Sequence, residues 1–183
     1  MGESTTRYRY SPEKELDENE LRKGIFIVVT HATRIPPHIG LIAEGRYHSL
    51  TVKGHDLNIP SDVFVRNIAL RKIPALFIRI KSHDTFSDDF LGECFEENVK
   101  SFKRVDIGVA TCLSPFKLFI EENFDVNTEN VNFLYELLPL LASKELIISC
   151  SSLNIDRSAY RLPVYSQAEI DKGISEVRAE YNN

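Results

Sequence analysis

The order of strand-like and helix-like segments limits the folds open to this chain more than any other feature of its sequence. Apolar runs typical of strands are concentrated before residue 84, and apolar residues recur at helical spacing after it. The predicted strands are 25–29, 38–42, 46–52, 73–80 and, late in the chain, 146–150. Segregation of this kind favours an α+β domain built on an antiparallel sheet.

Start and stop signals accompany the predicted helices. Ser166 followed by Glu169 is a capping box that opens a final helix, and Pro139 predicts that the helix at 131–138 ends or kinks there. A serine and a proline at positions 11 and 12 predict a short N-terminal helix that Gly24 ends. The helices predicted after residue 84 are 90–102, 113–124, 131–138 and 166–181.

Size, charge and hydropathy narrow the classes of protein further. A chain of 183 residues suits one sizeable core, so we expect an N-terminal arm over 1–23 and a single domain over 24–183. The net charge of −5 disfavours a general nucleic-acid binder. No apolar run reaches the roughly 18 residues of a membrane-spanning helix, and the polar segment 1–23 lacks the apolar core of a secretory signal. We therefore expect a cytoplasmic protein without stable membrane insertion.

Two histidines lie ten residues apart across a predicted β-hairpin. His38 begins the first strand, His48 lies on the second, and Gly45 stands at the tight turn between them. Hairpin pairing brings the strand that carries His48 back opposite the start of the strand that carries His38. We therefore expect the two imidazoles to be neighbours. One ring can then orient the other, as a general base requires.

Cys112 is the best-placed nucleophile among the three cysteines. It stands just before the helix predicted at 113–124, where the helix dipole and unpaired backbone N–H groups lower the pKa of a thiol. The same N–H groups can stabilise an oxyanion during acyl transfer. Cys94 lies on the apolar face of a predicted helix and Cys150 ends a strand-like run, so neither has this assistance.

The hairpin sequence, His-Ile-Gly-Leu-Ile at 38–42 and Glu-Gly-Arg-Tyr-His at 44–48, resembles the histidine hairpin of a known superfamily. It looks like that of the papain-like cysteine peptidases that cut bacterial cell-wall peptides, and it is similar to that of the lecithin–retinol acyltransferase group. In the cell-wall peptidases the cysteine helix precedes the hairpin. Here it follows, as in the circularly permuted branch that includes the acyltransferases. The resemblance covers roughly residues 24–124 and implies a permuted papain-like fold.

The resemblance also implies roles for individual residues. Cys112 corresponds to the nucleophile, His38 to the general base and His48 to the polar residue that orients the base. The implied activity is thiol-dependent hydrolysis of an amide, peptide or isopeptide bond in a peptide or protein substrate. Nothing in this chemistry requires a metal ion or an organic cofactor.

Several other functions stay open at this point. A lipid or thioester acyltransferase of the same fold would need an apolar groove beside the cysteine, and a binding or regulatory module would keep the fold without turnover. His31 and His38 could bind a metal together with a cysteine, although no metal-ligand spacing supports this. A locally basic stretch over 66–81 could bind an acidic partner or a phosphate. The sequence does not indicate the oligomeric state.

Overall fold

A seven-stranded sheet with helices on both faces forms the fold. The computed structural model describes residues 10–181 of the chain. The strands are β1 Lys14–Glu15, β2 Ile25–Thr30, β3 His38–Ala43, β4 Arg46–Thr51, β5 Gly54–Pro60, β6 Ala75–Ile80 and β7 Ile147–Leu153. Their order across the sheet is β1-β7-β6-β2-β3-β4-β5. Among the described strands only β1 and β7 pair in parallel.

Five α-helices complete the described part of the chain. They are α1 Ser61–Leu70, α2 Asp88–Lys100, α3 Ser114–Phe124, α4 Leu134–Ser143 and α5 Gln167–Tyr181. The predicted α+β class is confirmed. The sheet is mixed rather than purely antiparallel because the two-residue β1 lies parallel to β7.

Two hydrophobic cores lie on opposite faces of the sheet, and strand alternation assigns each side chain to one of them. Ile27 and Val29 of β2 belong to the larger core, which includes buried residues of α2, α3 and α4. Phe26 and Val28 belong to the smaller core, which includes buried residues of α1. Because both faces of this central strand are covered, its sequence is a continuous apolar run.

The short helix predicted between Ser11 and Gly24 is present only in its second half, as a 3-10 helix at Glu18–Arg22. Before it, β1 pairs with the edge of the sheet, where the Leu16 N–H donates to the Ser152 carbonyl oxygen at 2.9 Å. The predicted start is wrong because a distant strand satisfies these backbone groups, and local sequence patterns do not indicate that pairing. Of the N-terminal arm predicted at 1–23, residues 1–9 lie outside the described residues.

Two other elements differ from the predictions. The sequence did not indicate β5 because its residues are mostly polar or partly exposed. Helix α4 continues through Pro139 to Ser143. A proline inside a helix costs about 3 kcal/mol, and we attribute the tolerance here to packing of the buried leucines on both sides of it, among them Leu138 and Leu141. Within residues 10–181 no helix has both the length and the apolar character needed to cross a bilayer.

Candidate active site

The candidate site lies where β3 and β4 separate. The two strands pair only at Leu41–Ala43 of β3, and the register between β4 and β5 shifts between Tyr47 and Ser49. The first residues of β3, His38–Gly40, therefore pair with β2 on one side and face an opening on the other. An irregularity of this kind bends a strand away from its neighbour, which leaves room for a cavity in the plane of the sheet.

A cavity of about 690 Å³ occupies this opening. Its walls come from both faces of the sheet, from the loop before β3, from the turn before α3 and from α5. Its polar and reactive lining residues include His31, Arg34, His38, Tyr47, Asp56, Cys112 and Tyr165. The predicted nucleophile and the predicted base therefore line the same cavity, although Cys112 packs against the larger core and His38 occupies a strand position on the face of the smaller core.

Cys112 is half-buried in the turn that leads into α3. Burial raises the pKa of its thiol above the ordinary value of 9.0. The backbone N–H groups of Ile39 and of Cys112 itself face the sulfur and act in the opposite direction, but their effect is smaller. The prediction of a lowered pKa is therefore wrong for the resting protein, because desolvation of the thiolate outweighs the nearby backbone dipoles.

His38 presents a neutral imidazole to the cavity. Burial, with a smaller contribution from His31, lowers the pKa of His38 from 6.5 to about 4. Within residues 10–181 nothing hydrogen-bonds to the ring, and no hydrogen bond joins it to the Cys112 sulfur. An unprotonated ring nitrogen can accept a proton. Strand β3 contacts the nucleophile through the residue after His38, because the backbone N–H of Ile39 faces the Cys112 sulfur.

The structure does not bring His38 and His48 together. His48 is paired with Leu41, on the face of the larger core, and its charge environment comes chiefly from Glu96 of α2. Its Nδ1 accepts a hydrogen bond from the Asn58 N–H at 3.3 Å. His38 is paired with Thr30, on the face of the smaller core. The two rings project from opposite faces of the sheet, so His48 does not orient His38.

Tyr47 lines the cavity although its sequence context does not indicate a functional role. Its ring lies over Gly40, where a Cβ atom would be 2.4 Å from the tyrosine Cε2, and it stacks on Phe64 with 3.8 Å between ring centroids. Burial raises the pKa of the phenol, and the charge of Asp56 raises it further. The hydroxyl therefore remains protonated at neutral pH and can donate a hydrogen bond. A glycine inside a strand was the available signal, since it marks a close approach.

Asp56 is the second cavity residue that was missed, because it lies in the strand that was not predicted. It pairs with Ser49 across β4 and β5, and the Ser49 hydroxyl donates a hydrogen bond to Asp56 Oδ2 at 3.5 Å. Burial raises the pKa of the Asp56 carboxyl. A carboxylate thus stands in the wall of the cavity.

A metal site finds no support in the described part of the chain, where no group of three or more His, Cys, Asp and Glu residues could hold an ion. His31 and His38 both line the cavity, but they do not form such a group with a cysteine or an acid. The thiol of Cys112, the imidazole of His38 and the carboxyl of Asp56 in the cavity wall are groups that carry out acid–base and nucleophilic chemistry.

Comparisons of this chain with protein-family models, with curated proteins and with solved structures found no match. The chemistry of the site is therefore inferred from its own residues.

Proposed function

We propose that this protein is a thiol-dependent hydrolase that cleaves an amide, peptide or isopeptide bond, with Cys112 as nucleophile and His38 as general base. One observation carries this proposal: both residues line the cavity between β3 and β4, where the N–H of Ile39, the residue after His38, faces the Cys112 sulfur. A permuted papain-like arrangement, in which the cysteine helix follows the histidine strand, is part of the proposal.

In the proposed mechanism the His38 imidazole accepts the Cys112 proton while the sulfur attacks the substrate carbonyl carbon. Both groups are uncharged at rest, since burial raises the pKa of the thiol and lowers that of the imidazole. Proton transfer in concert with attack avoids an isolated buried thiolate. The oxyanion can accept hydrogen bonds from the N–H groups of Ile39 and Cys112.

The acyl-enzyme is then resolved by water. His38 gives its proton to the leaving amine, and the C–N bond breaks. It next removes a proton from a water molecule that attacks the thioester carbonyl, and the C–S bond breaks to release a carboxylic acid and restore the thiol. Because His48 projects from the face of the sheet opposite to that of His38, the proposed machinery is a Cys–His dyad rather than a triad.

Trapping of the acyl-enzyme tests this proposal directly. The protein is incubated with p-nitrophenyl acetate, and the acetylated residue is identified by peptide mapping and intact mass. We expect one acetyl group on Cys112, lost in Cys112→Ala and retained in Cys94→Ser, which is the matched control because Cys94 is also half-buried. Equal acetylation of Cys94 and Cys112 contradicts the proposal. Absence of any adduct favours a binding module without turnover.

Hydrolysis or transfer of a lipid or thioester acyl group is a second candidate, favoured by the apolar part of the cavity wall. The apolar lining residues on the α1 side of the sheet are Ile59, Phe64, Ile68 and Ile73. If these residues take up an acyl chain, kcat/KM for p-nitrophenyl esters should rise by about fourfold per added CH2 group, the equivalent of about 0.8 kcal/mol. A flat dependence on chain length favours an amide, peptide or isopeptide substrate.

A further inference from the structure

The carboxylate of Asp56 has no cationic partner in the protein. The fully buried Ser49 donates to it at 3.5 Å, and this is its one side-chain hydrogen bond within residues 10–181. In the same part of the chain no Lys, Arg or His nitrogen lies within 4.0 Å of the carboxylate. A half-buried charge without a partner costs free energy, and a cation supplied by a ligand would offset that cost.

The cationic side chains near the cavity are engaged elsewhere. The charge of Lys53 lowers the pKa of Asp56 slightly against the larger effect of burial, but its Nζ lies over the Tyr181 ring, 3.6 Å from the centroid. Arg34 lines the cavity, and the group on which its charge acts is His31. Neither side chain neutralises Asp56 by direct contact.

Tyr47 lies in the same cavity wall as Asp56 and the nucleophile Cys112. The charge of Asp56 raises the pKa of the buried phenol. Its ring forms part of the wall and stacks on Phe64. A substrate whose carbonyl carbon lies at Cys112 could therefore extend along Tyr47 and place a second group at Asp56.

We infer that Asp56 binds an ammonium or guanidinium group of the substrate that Cys112 attacks. This role rests on the proposed function and narrows its substrate class to amides, peptides or isopeptides that carry a cation close to the scissile carbonyl, as lysine, arginine or polyamine derivatives do. Charge-assisted N–H···O hydrogen bonds to a partly desolvated carboxylate are stronger than neutral ones. Asp56 is thus a specificity-determining residue, and the neutral analogue of the substrate leaves it unpaired.

Thiol reagents that differ only in charge test this inference at Cys112. We would measure the rate constants for modification of the Cys112 peptide by 2-aminoethyl methanethiosulfonate, which is cationic, and by its neutral propyl analogue. We expect the ratio of cationic to neutral rate constants to fall by about three- to tenfold in Asp56→Asn, because one opposite charge a few ångströms from the reagent is removed. An unchanged ratio overturns the inference.

A matched control separates a binding site from a general negative potential. Glu180 is an exposed carboxylate on α5 that lines the same cavity, and we expect Glu180→Gln to keep the wild-type ratio. An equal fall in Glu180→Gln and Asp56→Asn overturns the inference, since it would indicate long-range attraction alone. A competition measurement on the wild-type protein complements these variants. We expect n-butylammonium to slow modification of Cys112 by the neutral reagent and n-butanol at the same concentration to leave the rate unchanged. Equal protection by the two compounds counts against a cation site.

Failure of this inference and failure of the proposed function give different results. The charge ratio reports on Asp56 and does not require a general base. If acetylation of Cys112 depends on His38 but the ratio of cationic to neutral rate constants is unchanged in Asp56→Asn, the proposed hydrolase function stands and the cation site is rejected. If the ratio falls in Asp56→Asn but the wild-type protein forms no acyl adduct, the cation site stands and the hydrolase function is rejected.

Discussion

His38 and His48 belong to one β-hairpin, yet their imidazoles project from opposite faces of the sheet. The reason is the length of the turn. Ala43 pairs with Arg46, which leaves a two-residue turn in which both residues have positive φ, 45° at Glu44 and 76° at Gly45. With this register two even-numbered residues on opposite strands cannot share a face, whereas a three-residue turn would have put both rings on one side.

His48 is therefore expected to contribute to stability rather than to chemistry. It is 2% exposed and accepts a hydrogen bond from the Asn58 N–H. Replacement by alanine would leave a cavity and would remove the acceptor of the part-buried hydrogen bond from Asn58, so we expect His48→Ala to lower the free energy of unfolding by about 2–4 kcal/mol. Urea denaturation measures this effect. Arg46→Ala, at an exposed position on the same face of β4, should change stability little, and equal losses in the two variants contradict this role.

Much of the fold could be predicted from local patterns. The α+β class, the central strand β2, the hairpin and the helices α2, α3 and α5 follow from apolar periodicity and capping residues, and the Ser166 capping box is present, with the Ser166 N–H donating to Glu169 at 2.8 Å. What local patterns could not predict depends on distant partners. The pairing of β1 with β7 is one example, and the polar strand β5 is another.

The candidate site could be predicted only in part, for the same reason. Local features indicate Cys112 and His38 as candidates: Cys112 precedes a predicted helix, and His38 begins a hairpin that carries a second histidine. Tyr47 has the sequence signature of an ordinary strand aromatic, and its importance arises from the opening between β3 and β4, which the sequence does not reveal. The direction of the Cys112 pKa shift also depends on burial by residues far along the chain, whereas the helix N-terminus alone predicted the opposite direction.

The contact between Gly40 and Tyr47 should make this glycine intolerant of substitution. A Cβ at residue 40 would lie 2.4 Å from the tyrosine Cε2 and 2.5 Å from its hydroxyl oxygen. The tyrosine is 2% exposed and has little room to move. We expect Gly40→Ala to cost about 1–3 kcal/mol in the free energy of unfolding and to displace Tyr47 from the cavity wall.

A double-mutant cycle isolates this contact from other effects of the substitution. The cost of Gly40→Ala should be smaller by about 1 kcal/mol or more in a Tyr47→Leu background, because the clashing ring is absent there. Chemical denaturation of the two single variants and the double variant provides the measurement. Additive costs would show that the ring is not what opposes a side chain at residue 40.

The neutral state of His38 should make stability depend on pH. Its pKa lies at about 4 in the folded protein, against the ordinary value of 6.5, so between these values the unfolded chain binds a proton that the folded protein does not. The contribution of the neutral ring to the free energy of unfolding is fully present above pH 6.5. It decreases by about 3 kcal/mol as the pH is lowered through that range.

Replacement of His38 by a side chain that does not titrate tests this prediction. We expect the free energy of unfolding of His38→Gln, measured by urea titration at several pH values, to rise less steeply between pH 4 and pH 6.5 than that of the wild type. The difference between the two curves removes contributions from His31 and His48, whose pKa values burial also lowers. Parallel curves would mean that His38 titrates alike in the folded and unfolded chains.

The pre-steady-state rate of Cys112 acylation tests most directly whether Cys112 and His38 act as a pair. Release of p-nitrophenolate from p-nitrophenyl acetate near neutral pH would be followed in the wild type, in His38→Ala and in His48→Gln, whose folded state is verified beforehand. A positioned general base contributes about 100-fold or more, so we predict a loss of that order in His38→Ala and a rate close to the wild type in His48→Gln. Equal rates in the wild type and His38→Ala, or equal losses in the two histidine variants, would contradict a Cys112–His38 dyad.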